Sequence, residues 1–421
     1  MDKIITPGSR SGAVNAPSSK SQAHRILICA ALAQTESVII CPGISKDIEA
    51  TIACLNGMGA RIQADEDRIS VQPIDRAALR KSPGERMLRC SESGSTLRFL
   101  LPIAGALGLN VTFVMEGRLP ERPMKEYEDV LMAHGMDITR EGNLLHASGQ
   151  LEAGTFSLPG NISSQYFSGL LFALPLIEGS SKITIEGSLE SKDYVVMTEN
   201  ALRESGIKWK NLTGGYEVSG SQTYTSKPQI AVEGDYSNAA FFLCAGALSP
   251  RGIRVNNLSE NSGQGDRRIV DVLRQFGAEI TRDGDGIFAR RDKLNAITID
   301  GSMIPDLIPV LSVVAAAADG ITHIIHAERL RMKESDRIKS TVGMLKSLGS
   351  CVTETEDGMI IEGRKSLTGG TVDSCMDHRI AMAAAVAAGV CRGPVTVINA
   401  QCVSKSYPGF WDDLELLEAD R

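Results

Sequence analysis

Two patterns of apolar and polar positions recur along this chain, out of phase with each other. The first is an amphipathic helix that closes on Leu-x-x-x-Gly and leads into two short alternating segments around a polar turn. It ends at Gly59, Gly135, Gly206, Gly277 and Gly349, so successive copies lie 76, 71, 71 and 72 residues apart. IVDVLRQFG and STVGMLKSLG are typical helices, each with glycine where a left-handed cap belongs. GAEITRDGDGIFARR and GSCVTETEDGMIIEG carry the period-two alternation of a hairpin about Asp-Gly. The second pattern is an almost wholly apolar helix rich in small residues, such as IPVLSVVAAAADG or RIAMAAAVAAGV. Its polar openings fall at Lys20-Ser21, Glu92-Ser93-Gly94, Ser163-Ser164-Gln165, Asp235-Tyr236-Ser237, Pro305-Asp306 and Asp377-His378-Arg379.

These landmarks define six units, each with an apolar inner helix, an amphipathic outer helix and strands. The sixth is cut short: its outer helix, read as Trp411–Leu417, is followed by no hairpin. The segment KIIT, a Pro7-Gly8 turn and GAVNA supply a spare pair of strands at the other end of the chain. Residues 1–19 are therefore expected to join the C-terminal half. The expected domains are a first lobe at 21–227 and a second at 228–421 plus 1–19, each of three repeats. The chain would cross between them twice, which suits a hinge closing on a ligand.

Composition narrows the function. The chain has 421 residues, 43% hydrophobic and 23% charged, with a net charge of −7. An acidic chain with no Lys/Arg run is a poor duplex binder, because such binding rests on cation–phosphate contacts. No stretch reaches the roughly 18 apolar residues of a membrane span, and MDKIITPGSR does not read as a signal or transit peptide. The nine cysteines form no CxxC pair; several, among them Cys29, Cys54, Cys244 and Cys391, sit in apolar helical windows, as reduced cytosolic thiols would. The expectation is a cytoplasmic monomer without nucleic-acid or membrane partners. No metal-ligand spacing, P-loop or dinucleotide fingerprint is present, so no cofactor is expected.

The chemistry concentrates at the openings of the inner helices, where free N–H groups and the helix dipole favour anions. SSKSQAHR brings Lys20, Ser21 and Arg25 together; Ser21 can cap while Arg25 lies one turn on. ESGSTLR places Gly94 at an opening, with Arg98 one turn in. In RLPERPM, Pro123 holds Arg122 extended. NISSQYF offers Ser163, Ser164 and Gln165, more polar groups than one cap needs. RLRMKESDR is the densest cluster, and four-residue spacing predicts that Lys333 and Arg337 share a helix face with Glu334 beside them. DHR opens a very apolar helix with Arg379. Taken alone, SSKSQAHR is as well a helix cap with a solvated Lys and Arg, ESGSTLR reads first as an N-cap, RLPERPM is a weak signal and RLRMKESDR reads first as a solvated salt-bridged face. Taken together, parallel inner helices would aim their openings into one cleft suited to a small polyanion such as a phosphorylated carboxylate.

With SSKSQAHR, SGSTLR, ERPM, SSQ, IPD, KESDR, DHR and CVSKSYP in place, the chain resembles the enolpyruvyl transferases over nearly its whole length. The resemblance implies an α/β fold of two inverse α/β prisms, each of three βαβαββ units. It points to the branch that uses shikimate 3-phosphate. The nucleotide-sugar branch typically carries a functional Cys in the loop that here reads EGRLPERP, without one. The implied reaction moves the enolpyruvyl group of phosphoenolpyruvate to the 5-hydroxyl of shikimate 3-phosphate, by addition and elimination through a tetrahedral intermediate. Shikimate 3-phosphate would be held by Lys20, Ser21, Arg25, Ser163, Ser164, Gln165, Ser191, Tyr194, Asp306 and Lys333. Phosphoenolpyruvate would be held by Lys20, Gly94, Arg122, Gln165, Arg337, Arg379 and Lys405. Asp306, Glu334 and Lys20 would handle protons, with the roles of acid and base open between the two carboxylates. Gly94 would also leave room for the inhibitor glyphosate in the phosphoenolpyruvate pocket. Glu92 and Arg329 depart from the family pattern, the first standing where many members carry Asn and the second where some do. A nucleotide-sugar transferase and a non-catalytic repeat scaffold remain the alternatives; a scaffold has no need of Lys, Arg, Asp and Ser at successive helix openings.

Overall fold

The computed structural model describes residues 1–81 and 84–419. The chain divides into two compact units, Lys20–Val232 and Met1–Ser19 with Glu233–Arg421. Each has its own apolar core, as two independently packed domains require.

The six polar openings each begin a helix. Lys20–Leu32, Gly94–Ala106 and Ser164–Ala173 lie in the first unit, and Tyr236–Ala247, Ile308–Ala317 and His378–Ala387 in the second. Side chains of Ser93, Ser163, Asp235 and Asp377 accept hydrogen bonds from the first-turn N–H groups, so the polar residues there are true N-caps. Every residue of Ile308–Ala317 and of His378–Ala387 is buried, which explains their apolar composition on all faces. The amphipathic helices Lys46–Gly57, Lys125–Met132, Lys192–Glu204, Ile269–Phe276 and Arg337–Ser347 form the second set. Their terminal glycines 59, 135, 206, 277 and 349 all have positive φ, from 78° to 110°; a Cβ there would strain the reversal into the next strand.

Among the described residues each unit holds three sheets. In the first unit, Arg86–Ser91 pairs parallel with Val111–Met115 across the helix Gly94–Ala106, and the hairpin Met136–Glu141/Leu144–Gly149 adds antiparallel strands. The parallel pair follows from the helical crossover and the antiparallel pair from the tight turn. Thr155–Pro159, Ser180–Glu186, Gly215–Ser219 and Lys210–Leu212 repeat the plan. The remaining sheet departs from chain order. Its first strand is Gln229–Ala231, parallel to Ser37–Ile40, and this pairing carries residues 228–232 into the first unit, beyond the boundary at 227 read from the sequence.

In the second unit, Arg10–Asn15 runs parallel to Ile253–Asn256 and antiparallel to Glu418–Ala419. Lys3–Ile5 pairs instead with Val395–Ile398. The two N-terminal strands therefore do not form a hairpin with each other; they enter separate sheets, because Gly8 (φ 122°) and Ser9 carry the chain from one sheet to the next. The strand that precedes the first inner helix thus sits in the second unit, and the strand that precedes the fourth, Gln229–Ala231, sits in the first. Phe410–Leu416 is the last helix. Among the described residues no helix is long and apolar enough to cross a membrane.

Candidate active site

In the first unit the helix begins at Lys20, whose Nζ lies 2.9 Å from Asp47 Oδ2. Arg25 is buried and spans two helices: its Nε donates to Thr198 Oγ1 (2.9 Å), its Nη2 to the Tyr194 carbonyl (2.7 Å) and its Nη1 to the Ser21 carbonyl. Burial pulls its pKa down to about 10, against the pull of Tyr194 and Cys29. Ser191 sits at the N-cap of Lys192–Glu204 with φ 52°, a left-handed conformation that a non-glycine residue adopts at a cost. Arg25 therefore fixes the turn bearing Ser191 and Tyr194 against Ser21.

Gly94, Arg122 and Gln165 are brought together by Arg98, which the sequence reading placed one turn into the helix but gave no role. Its Nη1 donates to Gln165 Oε1 at 2.8 Å and its Nη2 to the Pro123 carbonyl at 3.1 Å. Gln165 Nε2 in turn donates to Ser95 Oγ at 2.9 Å, and Tyr166 Oη donates to the same Pro123 carbonyl at 2.6 Å. Arg122 has φ −72° and ψ 144°, the extended state that a following proline imposes. A Cβ on Gly94 would lie 2.7 Å from Arg98 Nη1 and 3.0 Å from Arg122 Nη1. The glycine is there for close approach of two guanidinium groups. Ser163 and Ser164 open the helix that carries Gln165, and Ser163 Oγ accepts the Gln165 N–H at 3.3 Å. Glu92, the departure from the family pattern, lies against Gly117, where a Cβ would fall 2.6 Å from Glu92 Oε1.

The second unit gathers Asp306, Lys333, Glu334, Arg337 and Arg379. Arg337 is 1% exposed and is ringed by three carboxylates. Its Nε donates to Asp377 Oδ2 (2.8 Å), its Nη1 to Asp306 Oδ1 (2.7 Å) and its Nη2 to Glu334 Oε2 (2.7 Å). Arg379 Nη1 donates to the Asp306 carbonyl (3.0 Å), with Nη2 3.4 Å from Asp306 Oδ2. Lys333 Nζ lies 3.8 Å from Asp306 Oδ1. The expected shared helix face of Lys333 and Arg337 does not exist. Lys333 is extended (φ −92°, ψ −160°) and the helix starts only at Arg337, because Asp336 caps it through the Lys339 N–H. The two cations meet through Asp306 instead. Lys405 closes the turn Ala400–Lys405 and is buried; the next residue is anchored by Asn238 Nδ2, which donates to the Ser406 carbonyl at 3.3 Å.

These contacts set the charges. Burial pushes the Asp306 carboxyl up, but Arg379, Lys333 and Arg337 outweigh it and hold the group well below the usual carboxylate range. Burial lowers Lys333 to about 8, with Asp306 opposing and Arg329 and Arg337 assisting. For Arg337 the carboxylates of Asp377, Glu334 and Asp306 outweigh burial and hold the proton more firmly than in water. Asp377, missed in the sequence as more than a cap, both grips Arg337 and accepts the Arg379 N–H at 2.9 Å. Among the described residues no three His, Cys, Asp or Glu side chains gather as a metal site would. In the second unit carboxylates hold the cations at the helix openings; in the first, Asp47 holds Lys20, while Arg25 and Arg98 are held by carbonyls, Thr198 and Gln165.

A family profile described as EPSP synthase (3-phosphoshikimate 1-carboxyvinyltransferase) matches residues 5–414. The chain belongs to this family. Curated relatives carry the name 3-phosphoshikimate 1-carboxyvinyltransferase. One from Clostridium beijerinckii is 43% identical over 98% of this chain and 96% of its own length. One from Clostridium acetobutylicum is 44% identical over 99% of this chain and 97% of its own. The solved EPSP synthase of Acinetobacter baumannii superposes over the full length of both chains with a TM-score of 0.82 at 26% identity. The expected fold class, mixed helix and sheet in this family's architecture, is the one found. The chain is accordingly an enzyme, a transferase.

Proposed function

We propose the following division of labour for the family's reaction. The chain transfers the enolpyruvyl group of phosphoenolpyruvate to the 5-hydroxyl of shikimate 3-phosphate and releases phosphate. Phosphoenolpyruvate and shikimate 3-phosphate each carry a phosphate and a carboxylate. Their approach needs cations from Lys20, Arg122, Lys333, Arg337, Arg379 and Lys405 to offset the repulsion. In this reading Gly94, Arg122, Gln165, Arg337, Arg379 and Lys405 take phosphoenolpyruvate. Lys20, Ser21, Ser163, Ser164, Gln165, Ser191, Tyr194 and Lys333 take shikimate 3-phosphate, with Arg25 holding the turn they share.

The observation that carries the proposal is the Asp306 carboxylate, kept ionised by three cations that the substrates also require. Anions arriving at those cations weaken their hold on Asp306 and raise its proton affinity, so the carboxylate becomes a base only when both substrates are in place. Asp306 then takes the 5-hydroxyl proton as that oxygen bonds to C2, while C3 gains a proton from the Glu334 side, with Lys20 assisting. In the second half C3 returns a proton and the C2–O bond to phosphate breaks. Phosphate release assayed with phosphoenolpyruvate and either shikimate 3-phosphate or UDP-N-acetylglucosamine tests the reading. Turnover is expected only with the first acceptor, in keeping with the Cys-free loop at 116–123. Turnover with the second would overturn it.

A further inference from the structure

A buried line of hydrogen bonds runs through the first unit beside its candidate residues. His24 Nδ1 meets Thr51 Oγ1 at 2.7 Å, Thr51 Oγ1 meets Thr96 Oγ1 at 2.7 Å, and Thr96 Oγ1 donates to Ser93 Oγ at 2.7 Å. All four residues are at most 1% exposed. The direction of the line follows from its last link. Thr96 spends its only proton on Ser93, so Thr51 must donate to Thr96, and His24 must carry its proton on Nδ1 to donate to Thr51. A core built for stability alone would fill this space with aliphatic groups, since buried polar partners add little net stability and cost much when unpaired.

The placement gives the line a purpose. His24 lies on Lys20–Leu32, beside Arg25 and one turn from Lys20 and Ser21. Thr51 lies on Lys46–Gly57, one turn from Asp47, the partner of Lys20. Thr96 lies on Gly94–Ala106, and Ser93 is the N-cap immediately before Gly94. His24, Thr96 and Ser93 are each a turn or less from a proposed substrate contact, Thr51 is a turn from the carboxylate that holds Lys20, and the line joins three helices. We propose that Thr51, with His24 and Thr96, is a positioning residue that sets the Gly94 opening against the Lys20 helix and so aligns the phosphoenolpyruvate contacts with those for shikimate 3-phosphate. This rests on the assignment of Gly94 and Arg122 to phosphoenolpyruvate made above.

Thr51→Val keeps the shape and removes both hydrogen bonds. It is expected to raise KM for phosphoenolpyruvate about tenfold, with kcat and the Kd of shikimate 3-phosphate alone within about twofold of the parent. Thr51→Ser, which restores the hydroxyl, is expected to recover the parent KM. Tyr224→Phe removes a buried hydrogen bond elsewhere in the same unit, from Tyr224 Oη to the Phe172 carbonyl; it should lower the melting temperature and leave KM alone. Should Thr51→Val not fold, Thr96→Ala cuts the line at its next link and is read the same way. Arg122→Lys separates the two layers of the argument. If Arg122→Lys raises KM for phosphoenolpyruvate and Thr51→Val does not, the positioning role is overturned. If Tyr224→Phe raises it as much as Thr51→Val, the effect is general loosening and the role is again overturned. If Arg122→Lys leaves KM unchanged, the assignment of the pocket fails first, and the proposal with it.

Discussion

Replacing Gly94 by Ala adds one methyl group at the point where two guanidinium groups converge. The new Cβ would lie 2.7 Å from Arg98 Nη1 and 3.0 Å from Arg122 Nη1. An ordinary carbon contact needs about 3.5 Å, so Arg98 must retreat by about 0.8 Å and Arg122 by about 0.5 Å. Both are ends of flexible side chains, so the chain will still fold. Gly94 opens a helix, and alanine there is worth up to about 1 kcal/mol over glycine; the melting temperature should hold or rise. The loss falls on the site. Arg98 Nη1 is bonded to Gln165 Oε1 at 2.8 Å, and a retreat of that size takes the pair out of hydrogen-bond range. A bond of this charged kind is worth about 1.5–3 kcal/mol, part of which repacking recovers. The expected cost is about 1–2 kcal/mol of phosphoenolpyruvate binding, or roughly five- to thirtyfold in KM. Steady-state phosphate release at saturating shikimate 3-phosphate, with phosphoenolpyruvate varied, measures it; glyphosate inhibition is expected to weaken in the same variant. A KM within twofold of the parent would refute the crowding argument, and a large drop in melting temperature would mean that Gly94 is needed for folding rather than for approach.

Asp306→Asn and Glu334→Gln should each lower kcat by at least about a hundredfold while changing the Kd of shikimate 3-phosphate far less; near-normal turnover in either removes that carboxylate from the proposed proton transfers. Arg337→Met leaves Asp306, Glu334 and Asp377 without their shared cation and should cost about 3–5 kcal/mol in urea unfolding; a loss under 1 kcal/mol would mean that Arg337 is not holding them. Asp266, buried and hydrogen-bonded by Ser237, is pushed up to about 6 by burial and then by the Asp306 charge, against Arg379. Between about pH 4 and 6 the folded chain keeps a proton there that the unfolded chain releases, so this group's contribution to stability falls as pH rises through that window. Asp266→Asn should remove that fall, seen as a difference between the two unfolding curves; parallel curves from pH 4 to 7 would contradict it.

The repeat was legible because its markers are local. Caps such as Ser93, Ser163, Asp235 and Asp377 and glycines such as Gly277 and Gly349 act within one turn of where they stand in the sequence. That residues 1–19 join the C-terminal half was legible; the strands with which Lys3–Ile5 and Arg10–Asn15 pair were not, since those partners lie hundreds of residues away and alternation along a strand does not name the neighbouring strand. The face wrongly shared between Lys333 and Arg337 came from reading KESDR as helix throughout; Asp336 competes as a cap and moves the start to Arg337. Arg98 and Asp377 were visible as residues but not as connectors, because what they join comes from elsewhere in the chain: Gln165 and Pro123 for one, Arg337 for the other.

The pairing of Arg10–Ser11 with Glu418–Ala419 and of Lys3–Ile5 with Val395–Ile398 has a consequence for biosynthesis. The strands that leave the ribosome earliest belong to the unit finished latest, so they must stay unpaired while Lys20–Val232 is made and can already close on itself. A permuted gene that begins at residue 233 and joins residue 421 to residue 1 would let each half mature from one uninterrupted stretch of message, and its yield of native enzyme at high temperature would measure how much the wait costs the cell.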